Sequence, residues 1–179
     1  MKGSRLWLMT AAWLAVFVAA VAAADVKVTP VVTPDGKVVA SFSAASAFNQ
    51  DTRDVLKSGL QLTFAFSVEL RRAGFFADRT LGAVAVVAKV KLDTLTGDYK
   101  VSKELDGHVT LADHTDQEDQ MRAWLTQFER VPIDVREPLE ANAEYYVQVK
   151  LNISPRQRFP LFPWGRNDGS GRADFTFIR

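Results

Sequence analysis

Apolar residues alternate with mostly polar ones along residues 59–72, with Leu60, Leu62, Phe64, Phe66, Val68 and Leu70 at the even positions. Successive side chains of a strand point to opposite faces, so this period predicts one long β-strand with an apolar and a mostly polar face. Residues 81–93 repeat the pattern, with Val84, Val86, Ala88, Val90 and Leu92 opposite Lys89, Lys91 and Asp93. The compact connection at 75–80 makes the two strands antiparallel neighbours. Tyr145, Val147, Val149, Leu151 and Ile153 mark a third long amphipathic strand.

Shorter strands surround these three. Residues 26–33 and 37–43 flank Pro34-Asp35-Gly36, a hairpin turn in which proline presets one angle and Asp-Gly accepts positive φ. Thr96-Gly97-Asp98 turns the chain into Tyr99, Val101 and Leu105, which alternate with Lys100, Ser102 and Glu104. Residues 107–112 and 173–178 add two short strands, the second after a polar turn at 165–171. Two helices are expected. Residues 49–58 make a short one, with Asn49 as N-cap and Gly59 as its stop. Residues 116–130 make a strong one, since Met121, Trp124, Leu125 and Phe128 fall at i, i+3, i+4 and i+7. Thr115 and Glu118 have capping-box spacing, Arg130 suits the C-terminal end of the dipole, and Pro132 forbids continuation. The fold class is mainly β (α+β): an antiparallel sheet or sandwich with one strong amphipathic helix and one short helix.

Composition changes this picture at the N-terminus. Lys2 and Arg5 precede an apolar run from Leu6 to Val21, and Ala22-Ala23-Ala24 follow, which is the layout of a cleaved signal peptide over 1–24. An uncleaved membrane anchor is the alternative, and the protein is expected to be periplasmic or secreted. Residues 25–179 then form a single β-rich domain. Loss of Lys2 and Arg5 leaves 20 basic against 21 acidic side chains, which argues against a nucleic-acid partner. With no cysteine, thiol chemistry and disulfides are excluded.

The succession GLQLTFAFSVELRR (59–72), LDTLTGDYKV (92–101), EYYVQVKLNIS (144–154) and FPLFPWG (159–165) resembles an exported bacterial family known as domain of unknown function 4390. The similarity covers essentially all of the mature chain. It implies a secreted or periplasmic protein without assigned activity and carries over no catalytic residue.

Candidate chemistry is sparse. His108 and His114 fall on one face if their strand is regular, near Asp113, Asp116, Glu118 and Asp119, and imidazole with carboxylate can hold zinc. The acids, however, already suit the first turn of the helix. No nucleophile elbow is present, and Gly165, Gly169 and Gly171 read as turn residues, with no phosphate-loop Lys-Ser/Thr after them. No catalytic, cofactor or metal residue is therefore assigned. The most distinctive surface candidate is Arg156, Arg158, Phe159, Phe162 and Trp164, arginines and aromatics of the kind that anchor interfaces, although the favoured reading of Phe159, Phe162 and Trp164 is that they seal one end of the sheet core. These features favour a non-enzymatic binding or interaction module of the bacterial cell envelope, with another envelope protein as partner. The alternative is a carrier of an apolar small molecule or lipid held between the sheet and the long helix, which requires a cavity of at least roughly 300 Å³ there.

Overall fold

The long alternating stretch does form the central strand. The computed structural model describes residues 25–74, 76–155 and 169–178. In chain order these make β1 (Lys27–Val32), β2 (Val38–Ser43), α1 (Gln50–Lys57), β3 (Leu62–Arg72), β4 (Arg79–Leu92), β5 (Tyr99–Leu105), β6 (His108–Thr115), α2 (Glu118–Thr126), β7 (Gln127–Ile133), β8 (Glu144–Pro155) and β9 (Gly169–Thr176). They assemble into a six-stranded sheet, β6-β5-β4-β3-β8-β9, and a three-stranded sheet, β1-β2-β7. Every strand pair within the two sheets is antiparallel. The mainly β, α+β sandwich expected from the pattern is the fold observed.

The three long strands lie side by side, with Phe64 opposite Ala88 of β4 and Ile153 of β8. Their apolar positions share one face. Leu62, Phe64, Phe66, Val68 and Leu70 are buried there with Val84, Val86, Val90, Val147, Val149 and Leu151. The small sheet and the two helices cover this face, joining it in one apolar cluster. Phe42 of β2, Phe66 of β3 and Phe128 of β7 meet with ring centroids 4.8–5.2 Å apart, tying the two sheets together.

Turn and cap residues act as their chemistry dictates. Gly36 at φ +79° closes the β1–β2 hairpin, its N–H donating to the Thr33 carbonyl at 2.9 Å. The Asn49 side chain accepts from the Thr52 N–H at 3.1 Å, capping α1.

Three expectations are corrected. The helix expected over 116–130 is only α2, Glu118–Thr126, and the chain continues as β7. Met121 and Leu125 are fully buried helix residues, but Phe128 reaches the core from a strand. Pro132 does not terminate a helix; it lies opposite Val39 on an edge strand, where a missing N–H is tolerated. The capping box also does not form. Thr115 Oγ1 bonds to Gln120 Oε1 at 2.7 Å, and Glu118 pairs with Arg53 of α1 at 2.7 Å, linking the helices. Finally, Gly169 and Gly171 are not turn residues but open β9. A Cβ on Gly171 would stand 1.9 Å from the Val26 carbonyl oxygen, so glycine there lets the N-terminus of the small sheet close against the edge of the large one.

Candidate functional site

The small sheet does not cover the whole inner face. Its edge strand β7 stands off from β5 and β6, and a groove of about 440 Å³ opens between them beside the end of α2. Val86, Leu105, Ala123, Trp124, Phe128 and Val131 supply apolar wall. Leu105, Arg130 and Pro132 also line a wider cleft of about 1680 Å³ at the hairpin end of the sandwich. The space directly beneath α2 is filled by Met121 and Leu125, so the apolar volume lies beside the helix and not under it.

Lys103 is the unusual wall residue. In β5 it shares a face with Val101 and Leu105, opposite the fully buried Ala88 of β4. Its Nζ lies 4.6 Å from the centroid of the Phe128 ring and donates to the Gln127 carbonyl at 3.3 Å. Burial holds this ammonium below the ordinary lysine range. Lysine was not singled out in the sequence, yet the signal was there: alternation from Val101 to Leu105 puts residue 103 on the apolar face. Arg130 lines the same groove from a bulge in β7, where the pairing with β2 shifts between Ala40 and Phe42.

The residues expected to make a metal cluster are not brought together. A second bulge shifts the β5–β6 register between Lys103 and Glu104, so His108 pairs with Leu105 while His114 pairs with Lys100, on opposite faces. Among the described residues no group of three His, Cys, Asp or Glu side chains could hold an ion. Arg156, Arg158, Phe159, Phe162, Trp164 and Gly165, like residues 1–24, lie outside the described residues. No described helix is long and apolar enough to cross a membrane.

A family model described as a domain of unknown function, DUF4390, matches residues 22–161. The chain belongs to this family. The DUF4390 match takes in every element from β1 to β8 and ends within the FPLFPWG motif, before β9. No curated protein and no solved structure matches the chain significantly.

On the opposite face of the large sheet, this DUF4390 domain carries a polar network on β3, β8 and β9. Tyr146 donates its hydroxyl proton to Asp78 Oδ2 at 2.6 Å, beneath the Arg172 guanidinium 3.6 Å from the ring centroid. Arg172 also pairs with Asp174 at 2.6 Å. The Tyr146 hydroxyl, followed by the Gly74 N–H, holds the Asp78 carboxyl below its ordinary range, and Asp78 raises the Tyr146 phenol. The depressed carboxyl supports the fold above the ordinary Asp range and loses that contribution as pH falls through its folded value. The raised phenol contributes below about pH 10 and loses it as pH rises through its folded value. In Tyr146→Phe, carboxyl NMR is expected to show Asp78 titrating at higher pH than in the native protein. An unmoved Asp78 curve would remove the hydroxyl as its main stabiliser.

Proposed function

We propose that this DUF4390 protein is a non-enzymatic binding protein of the bacterial envelope that seats an apolar group in the groove between β7 and β5–β6. The observation that carries this reading is the groove itself. Its volume of about 440 Å³ falls within the range of small-ligand sites, roughly 300–1,000 Å³, and it is walled by Trp124, Phe128, Val86 and Leu105. Export rests on the basic, apolar and alanine-rich order of residues 1–24. A non-catalytic role is favoured by the separation of His108 from His114 and by the lack of cysteine.

The test uses N-phenyl-1-naphthylamine, a neutral apolar dye that fluoresces on leaving water. The native protein is expected to bind it saturably. Ala123→Phe places a ring into the groove from the half-exposed face of α2 and is expected to abolish binding at an unchanged melting temperature. Equal dye binding by this variant would put the apolar site elsewhere. No dye binding by either protein would leave the second reading, protein docking through Arg156, Arg158, Phe159, Phe162 and Trp164, which the density of arginine and aromatic side chains in that segment supports.

A further inference from the structure

Two cations, Lys103 and Arg130, line the groove beside its apolar wall. Neither Lys103 nor Arg130 forms an ion pair with any described residue. Neighbouring carboxylates do not answer them: Glu104 is engaged by Lys89, and Glu129, exposed at the rim, makes no ion pair with a described residue. A lysine on the apolar face of a strand ordinarily escapes to solvent along its stem. Lys103 instead keeps its Nζ against the Phe128 ring and the Gln127 carbonyl, with no carboxylate partner among the described residues.

Arg130 is placed there at a conformational cost. Its backbone sits at φ +48°, the left-handed region, at the β7 bulge. Glycine is the residue such a bulge position favours, and any side chain there is strained. Bulges re-aim side chains, and at this one Arg130, itself exposed, lines both the groove and the wider cleft.

We infer that the groove takes a single-chain amphiphile with an anionic end, a long-chain carboxylate, with its chain against Trp124, Phe128 and Val86 and its head met by Lys103 and Arg130. This rests on the groove being the apolar site proposed above. Charge complementarity selects the occupant: Lys103 and Arg130, neither ion-paired with a described residue, line the groove with one carboxylate likewise unpaired among the described residues, Glu129, and a carboxylate is a group that both a guanidinium and an ammonium bind.

The experiment measures displacement of N-phenyl-1-naphthylamine by dodecanoate and by dodecanol, with calorimetric titration of dodecanoate alongside. In the native protein dodecanoate is expected to bind roughly tenfold or more tightly than dodecanol, the value of a charge-assisted contact. Lys103→Met and Arg130→Gly should each remove that preference by weakening dodecanoate binding more than dodecanol binding. Lys103→Arg should retain it, and Arg130→Gly should melt no lower than the native protein because its strain is relieved. Equal affinity for acid and alcohol, or a preference surviving both charge removals, overturns the anionic ligand but leaves the apolar groove. Absence of both dye binding and dodecanoate heat overturns the groove and the ligand together.

Discussion

Phe64→Asp is expected to abolish the cooperative thermal transition and leave a protein with the circular dichroism of an unfolded chain. Phe64 is fully buried between Ala88 and Ile153 on the inner face of the central strand. Removing such a ring costs about 3–5 kcal/mol in lost contacts and cavity. A carboxylate left there without a partner adds several kcal/mol more. Domains of this size are stable by about 5–15 kcal/mol, so the sum is comparable to the whole. Ser67→Asp is the matching control, three residues along the same strand but exposed on the other face. It should stay within about 0.5 kcal/mol of the native protein. A Phe64→Asp protein with a normal melting temperature would show that this strand is not the core element.

The second large effect concerns a seam and not the core. Gly171→Ala puts a methyl group where the Val26 carbonyl oxygen is 1.9 Å away and the Val26 Cβ 3.0 Å away. Both neighbours belong to the chain leading into β1, which also meets β9 through the Asp25–Ser170 bridge. The obstacle is mainly backbone, so it cannot be relieved by rotating a side chain, and the two sheet edges must separate. Overpacking of this kind costs about 1–3 kcal/mol, and here the upper end applies. For a domain of this length that lowers the melting temperature by roughly 6–12 °C in a differential scanning measurement. A Gly171→Ala protein that melts with the native one would mean that the β1–β9 seam is looser than this contact requires.

The strands that could be read from the chain were those whose partners did not disturb their period. β3, β4 and β8 alternate over most of their length, and the short 75–80 connection pairs β3 with β4, whereas the pairing of β8 with β3 has no local signal because most of the domain lies between them. The errors cluster at bulges. Around 128–131 an extra residue breaks the two-residue alternation, so Phe128 loses step with Val131 and Ile133 and falls in step with Met121 and Leu125, extending a helical stripe that the backbone does not follow. At Lys103–Glu104 another register shift separates two histidines that a regular strand would have aligned. The groove escaped notice for a related reason. The alternation of β5 places Lys103 inward, but nothing local says that β7 will stand away from it and leave that side chain beside open apolar volume.

By itself, the sequence determined the elements whose cause is local: the amphipathic strands, the Pro34-Asp35-Gly36 turn, the Asn49 cap of α1, and the apolar face that becomes the core. Tertiary structure decided where those faces are left incomplete. A bulge is the response of one strand to the twist and spacing of its partner, and a groove is the gap between two sheet edges that never pair. Both depend on residues far apart in the chain, and so Lys103, Arg130 and Trp124 become neighbours only once β7 has joined β2 and turned its other edge toward β5.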